Sequence, residues 1–332
     1  VNGYLQAEPI KGLTLKATLG VDRRYDKNKS YVPNTTVAGA AKGGIANILQ
    51  RDNIDYLMEL TANYTKDFGN HSLTALVGYS YQQFNQESVY AGNEDVSTDG
   101  YLYNNLQAGA GTKPYVNSSA RKSALGSYFA RANYSYLGKY LLTVTVRADG
   151  ESNFHPDYRW GYFPSVSAGW QIALEKFMES TRNWLDGLKV RASYGVIGNQ
   201  NVNPYTFTPT MSVSNKSTSW IIDNTYVTSI SSLPALVSQN FTWEKVGTVN
   251  VGLDVNLFNN RLNGVFEWYQ RNTNGMLAPG VQLPAVVGAS APYQNTADMR
   301  TRGWELSLNW RDQIGKVGYR LSHCHSSSSN AV

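Results

Sequence analysis

The chain has 332 residues, 16% of them charged, and its 29 basic and 24 acidic side chains leave a formal charge of +5, whereas an ordinary soluble domain carries roughly 25% charge. With 23 tyrosines and a mean hydropathy of −0.38 it is polar without being ionic. This excludes a coiled coil and a charged disordered tail, and no stretch approaches the ~20 consecutive apolar residues of a spanning helix. Basic residues are dispersed, with no run longer than Arg23-Arg24 or Arg121-Lys122, so nucleic acid is not an expected partner. The single Cys324 excludes a disulfide framework and a multi-cysteine zinc cluster.

In chain order, period-two alternation predicts eleven strands, at about 12–22, 54–67, 72–85, 120–136, 139–149, 161–173, 187–196, 245–257, 261–271, 301–311 and 316–322. In the first, Leu13, Leu15, Ala17, Leu19 and Val21 oppose Thr14, Lys16, Thr18 and Asp22. Leu142, Val144 and Val146 oppose Thr143, Thr145 and Arg147, and Val190, Ala192 and Tyr194 oppose Lys189, Arg191 and Ser193. Val249, Val251 and Leu253 oppose Thr248, Asn250 and Asp254, and Trp304, Leu306 and Leu308 oppose Glu305, Ser307 and Asn309.

Connections alternate long and short, with one larger link on the short side. The short ones are expected at 68–71, 137–139, 258–261 and 312–315, each with Gly or Asn for a hairpin turn, and 175–186 reads as a brief helix. The long ones are 23–53, 86–119, 150–160, 197–244 and 272–300. A strand of about ten residues, rising ~3.3 Å each at ~45° tilt, spans close to the ~25 Å apolar band of an outer-membrane barrel. Aromatics at or near predicted strand ends (Tyr4, Tyr25, Tyr81, Phe84, Tyr136, Tyr140, Phe163, Trp170, Tyr194, Phe258, Trp268, Tyr269, Trp304, Trp310) suit the two interfacial belts of such a barrel. The fold expected is all-β, an antiparallel transmembrane β-barrel; a soluble Greek-key or repeat protein is the alternative.

Enzyme signatures are absent: there is no G-x-S-x-G elbow, P-loop, HExxH helix or complete GxGxxG. The densest charged cluster, Arg147, Asp149, Glu151, His155, Asp157 and Arg159, suits a salt-bridged loop better than acid–base chemistry. His323 and His325 flank Cys324, where a frayed terminus is expected rather than a metal site. The loop aromatics Tyr101, Tyr103, Tyr115, Tyr205, Trp220, Tyr226 and Tyr293 are candidates for contact with a ligand or a lid.

The blocks RADGESNF (147–154), RWGYFPSVSAGW (159–170), EKFM (175–178), LKVRASYGVIGNQ (188–200), WEKVGTVNVGLDVNLFNNRLNG (243–264) and MRTRGWELSLNW (299–310) resemble the SusC/RagA family of TonB-dependent outer-membrane transporters. The resemblance implies a 22-strand plugged barrel, of which the eleven strands counted above are half, with residues 1–322 as partial barrel; HCHSSSSNAV at 323–332 departs from it and is expected to be a low-complexity, non-native tail. The plug and the TonB-contacting region are expected to lie outside this chain, which alone would be an inactive fragment. It further implies import of a glycan or peptide through the barrel, with a SusD-like surface lipoprotein as partner, outer-membrane lipid around the wall and the TonB complex as energy source. No catalytic residue, cofactor or metal follows from it. Lys16, Arg131, Arg147, Lys189, Arg191, Glu267, Glu305 and Arg311 are expected to face the lumen, where a hydrated charged wall lets plug contacts exchange with water. An outer-membrane barrel enzyme and a soluble β-rich surface-binding protein remain as rivals.

Overall fold

The alternating segments pair into one antiparallel twelve-stranded sheet in sequence order. The computed structural model describes the chain except residues 97, 112–113, 201, 203–205, 210–212, 215–219, 223–224, 228, 231–235, 239, 289–290 and 332. The first eight strands are β1 (Asn2–Ile10), β2 (Leu13–Val32), β3 (Ile45–Phe68), β4 (His71–Glu94), β5 (Tyr115–Tyr136), β6 (Tyr140–Glu151), β7 (Trp160–Gln171) and β8 (Leu185–Asn199). Short strands β9 (Val213–Ser214) and β12 (Ser229–Ile230) pair with each other, as do β10 (Trp220–Ile222) and β11 (Thr225–Val227). The sheet resumes with β13 (Glu244–Leu257), β14 (Leu262–Pro279), β15 (Tyr293–Ile314) and β16 (Val317–Ala331).

Tight turns on one side follow from residues that tolerate positive φ. Gly69 closes β3 to β4, Leu137 and Gly138 close β5 to β6, and Phe258, Asn259 and Asn260 close β13 to β14. Left-handed backbone at successive positions matches the twist of a hairpin. The 175–186 link carries a 3₁₀ helix at Lys176–Thr181.

The burial pattern is inverted relative to a soluble sandwich. On β6, Leu142, Val144 and Val146 are exposed by 42%, 41% and 48%, while Thr143, Thr145 and Arg147 between them are half-buried. On β13, Val249, Val251 and Leu253 are exposed, and Thr248, Asn250 and Asp254 are half-buried. Register aligns the outward apolar positions across strands: Ala168 with Ala192, Ala192 with Val251, Val251 with Trp268 and Trp268 with Trp304. A continuous apolar face turned away from the protein is stable only against lipid, where each backbone polar group is satisfied within the sheet.

A chain of rings edges that face on the short-turn side, with Phe68 stacked on His71 at 5.2 Å, His71 against Tyr136 at 4.7 Å, Tyr136 on Tyr140 and Tyr140 on Trp170 at 6.3 Å each. On the long-loop side Tyr79 meets Tyr128 at 4.9 Å and Tyr128 stacks on Trp160 at 6.0 Å. Trp160 and Trp170 end the same strand, so the two belts stand about 23 Å apart at ~3.3 Å per residue and ~45° tilt.

The chain divides into two compact units. Residues 1–5, 17–60 and 80–125 form the first, in which Arg23 pairs with Asp52 at 2.6 Å and Lys42 with Glu94 at 2.6 Å. The second comprises residues 6–16, 61–79 and 126–332, and its apolar core is small: Phe154, Phe163, Phe241 and Trp243, each exposed by 5% or less. Phe163 lies between Gly161 and Gly198, where an added Cβ would fall 2.4 and 2.2 Å from its ring. Trp243 Nε1 donates to the Arg159 carbonyl at 2.9 Å. Three blocks distant in sequence (147–154, 159–170 and 243–264) meet here.

Several expectations are corrected. The sheet has twelve strands, not eleven, so the strand number is even. The missed one, β1, carries Gly3 and Pro9 and no alternation; it is fully exposed at the sheet edge, where a proline without an N–H is tolerated. Strands β2 to β5 run 20 to 24 residues, so the first long connection narrows from 23–53 to 33–44. Their polar outer ends alternate less than the lipid-facing parts, which is why periodicity ended them early. Trp304 and Trp268 consequently lie mid-strand, and Phe163 belongs to the apolar core rather than a belt. The last turn is Gly315-Lys316, and β16 continues past 322, pairing His323 with Leu308 and His325 with Leu306 where fraying was expected.

Candidate functional site

The polar face of β6, β7, β8, β13 and β14 gathers the chemistry. Register sets Arg191 beside Gly252 and Gly252 beside Glu267. With no side chain at Gly252, the Arg191 guanidinium crosses β13: its Nε lies 3.3 Å from Asp254 and its Nη2 donates to Glu267. A Cβ on Gly252 would fall 2.6 Å from Arg191 Cζ. Asn250 Nδ2 adds a hydrogen bond to Glu267 at 3.2 Å, and Lys189 stands directly opposite Asp254. Thr143, Ser167, Ser193 and Asn250 share with Lys189 and Arg191 the lining of a concavity of about 310 Å³. Each of these ion pairs is part-exposed and contributes roughly 0.2–1 kcal/mol. They orient donors and acceptors on a wetted wall rather than hold the fold.

The other residues expected at the lumen have the following partners and exposure. Arg131 Nε donates to Thr145 Oγ1 at 3.3 Å. Arg147 pairs with Asp149 at 2.7 Å and donates to the buried Ser127 hydroxyl at 2.8 Å. Glu305 faces Glu267 across the β14–β15 ladder and is exposed, Arg311 is opposite Arg320, and Lys16 is half-buried on β2. Sequence reasoning missed Asp254 and Asn250 as members of the network; the register that places them beside Arg191 and Glu267 was their only signal. The 147–159 cluster is a structural clasp: Glu151 accepts from the Asn153 N–H at 3.0 Å, and His155 lies 3.5 Å from Asp157.

At the short-turn end, Glu175 accepts from Tyr140 Oη at 2.7 Å, Lys139 Nζ at 3.0 Å and Trp170 Nε1 at 3.2 Å. The Tyr140 hydroxyl first, then Lys139 and Trp170, hold its carboxyl down to about 2. This link ties the belt to the 3₁₀ segment.

Of the loop aromatics, Tyr101 is exposed and Tyr103 lies under Lys29 Nζ at 4.9 Å. Tyr115 and Tyr293 open β5 and β15 rather than lying in loops, and the Tyr115 hydroxyl donates to Glu94. Trp220 and Tyr226 sit on the β10–β11 pair; Tyr205 lies outside the described residues. Among the described residues no group of three or more His, Cys, Asp or Glu is arranged to hold a metal ion.

An outward apolar face, two aromatic belts, a charged inner face and sorted loop lengths define a membrane β-barrel wall. Residues 3–329 match the family model for the TonB-dependent receptor-like β-barrel, and the chain belongs to that family of outer-membrane proteins. It is 35% identical over 94% of its length to TonB-dependent receptor P3 of Formosa agariphila, covering 30% of that protein. It is 32% identical over 96% of its length to TonB-dependent receptor SusC of Bacteroides thetaiotaomicron, covering 31% of it. Among solved structures, the RagAB peptide transporter superposes with a TM-score of 0.84 at 29% identity, over 99% of this chain and 36% of that one. The Escherichia coli outer-membrane transporter YddB, at 12% identity and TM-score 0.61, shares the fold. The chain thus spans about a third of the length of these relatives.

Proposed function

We propose that the chain is the partial barrel of a SusC-like TonB-dependent transporter that imports oligosaccharides or peptides across the outer membrane. In this reading a SusD-like surface lipoprotein captures ligand over the long loops, and TonB supplies energy through a plug contributed by the rest of the receptor. The observation that carries it is the inversion of the sheet, apolar outward and charged inward, in a chain so similar to SusC and to the RagAB transporter. The inner wall suits a removable plug. Part-exposed pairs such as Arg191–Asp254 and Arg191–Glu267 exchange partners with water at little net cost, whereas a dry apolar wall would hold a plug through its whole buried area. The chemistry of the wall is mixed-charge and hydroxyl-rich, compatible with neutral sugars or zwitterionic peptides.

The test is deletion of the gene, followed by growth and uptake with defined oligosaccharides and peptides as the nutrient, with and without an intact TonB system. Selective loss of uptake of one of these classes, reproduced by loss of TonB, is expected. Unchanged uptake of both classes in the deletion strain would refute the proposal.

A further inference from the structure

The lipid-facing side of β13 to β15 carries a feature that transport does not use. Proceeding along β15 from Trp310 toward the long loops, the outward positions read Leu308, Leu306, Trp304, Arg302 and Arg300. Trp310 lies at the turn-side end, in register with Leu262, the first residue of β14. At ~3.3 Å per residue and ~45° tilt, Arg302 and Arg300 stand about 19 and 23 Å above it, at the far edge of a ~25 Å apolar band. Two arginines therefore follow the apolar positions on a face that meets lipid.

Both are held in place. Arg302 Nε donates to Gln270 Oε1 at 2.8 Å and Arg300 Nε to Asn272 Oδ1 at 3.1 Å. Register sets each arginine directly opposite its amide, and Gln270 Nε2 links the two rungs by donating to Asn272 Oδ1 at 3.3 Å. Each guanidinium is anchored through Nε on the β14 side, and no ion pair involves either among the described residues. Lys245 occupies an outward position of β13 opposite Asn274, one rung further toward the long loops. Asp298, in the same groove, accepts from the Gly275 N–H at 2.8 Å. A groove of about 490 Å³ runs between Asn272, Asn274, Asp298, Met299, Arg300 and Ala331.

We propose that Arg300 and Arg302, with Lys245 beside them, form a docking site for the phosphate group of an outer-leaflet lipid. The lipid's acyl chains would lie along the apolar positions below, at Trp304, Leu306, Trp268 and Phe266. Long cations at the end of an apolar face place their charge in the headgroup layer, and two anchored guanidiniums one rung apart present several N–H donors to a tetrahedral oxyanion. The occupant is a membrane lipid rather than free phosphate because the cations open onto the bilayer side of the sheet, away from the Lys189–Arg191 wall.

The test uses the whole receptor, reconstituted in phosphatidylcholine vesicles doped with bisphosphorylated lipid A, and measures the lipid A retained after detergent extraction. The wild type is expected to retain it saturably, and the double variant Arg300→Gln/Arg302→Gln about ten- to thirtyfold more weakly, from two interfacial cations. Dephosphorylated lipid A should show the same loss on the wild type, millimolar inorganic phosphate should not displace the lipid, and Arg271→Gln on the polar face should change nothing. Heat-modifiable migration verifies that each variant is folded; should the glutamine pair fail it, Arg300→Lys/Arg302→Lys replaces it, expected to fold and to retain less lipid A. Equal retention by a folded double variant, equal retention of the dephosphorylated lipid, or displacement by inorganic phosphate would overturn the proposal.

Discussion

An arginine in place of Val251 puts the membrane-facing assignment under direct strain. Val251 is exposed on the apolar face, between Ala192 of β8 and Trp268 of β14. It lies six residues from Leu257, where β13 ends and the belt residue Phe258 follows. That spacing sets it about 14 Å above this strand end, close to the middle of a ~25 Å band. Arginine at the bilayer midplane of a barrel costs about 2–4 kcal/mol, a roughly 30- to 700-fold change in the folding equilibrium at ~1.4 kcal/mol per tenfold. Ser193, opposite Asn250 on the other face, is the matched control: Ser193→Arg should change stability by less than about 1 kcal/mol. The assay is urea-dependent folding of the receptor into lipid vesicles, followed by heat-modifiable migration. Wild-type stability for Val251→Arg, or an equal loss for both variants, would refute the reasoning.

Gly161→Ala should destabilise by about 1–3 kcal/mol, because its Cβ would meet the Phe163 ring at 2.4 Å in a packed cluster; denaturant midpoints of the folded receptor measure this. Gly252→Ala should displace the Arg191 guanidinium, so the Arg191–Glu267 coupling in a double-mutant cycle should fall toward zero in that background. Glu175 remains ionised well below the ordinary carboxylate range, at about 2. A depressed folded-state value stabilises the fold above ~4.5, where the unfolded carboxylate ionises, and that contribution is lost as pH falls toward 2. Glu175→Gln should therefore flatten the acid limb of stability between those values in a pH series. An epitope inserted at Gly100 should be stained on intact cells and one at Asn70 only after permeabilisation; the reverse would invert the topology.

The membrane-spanning parts of the strands were legible because lipid on one side and water on the other impose strict alternation, as at Leu142–Arg147 and Val249–Asp254. The same rule hid what does not cross the apolar band. Both faces of β1 and of the outer ends of β2 to β5 are polar or mixed, so period two fades although the ladder continues. β16 shows the converse, since the backbone ladder with β15 persists through a serine run that contributes no pattern. Polar-face membership could be read from parity, but the Arg191–Asp254–Glu267 network could not. It depends on the register of three strands separated by long stretches of sequence, and on a glycine whose role appears only once Arg191 is seen to pass over it. The aromatic core was similarly hidden: parity puts Phe163 on the face opposite Val166 and Trp170, but its packing against Trp243 and the close approach of Gly161 and Gly198 depend on tertiary contacts.

The most direct measurement is a site-directed spin-label scan of residues 248–254 in the receptor reconstituted in bilayers, with native cysteines, Cys324 included, replaced by serine. Collision rates with oxygen, which concentrates in lipid, and with a water-soluble nickel chelate report the two faces separately. Oxygen accessibility should peak at 249, 251 and 253 and nickel accessibility at 248, 250, 252 and 254, strictly out of phase. In-phase profiles, or nickel maxima at the three apolar positions, would contradict a sheet whose apolar face meets lipid and whose charged face lines a water-filled interior.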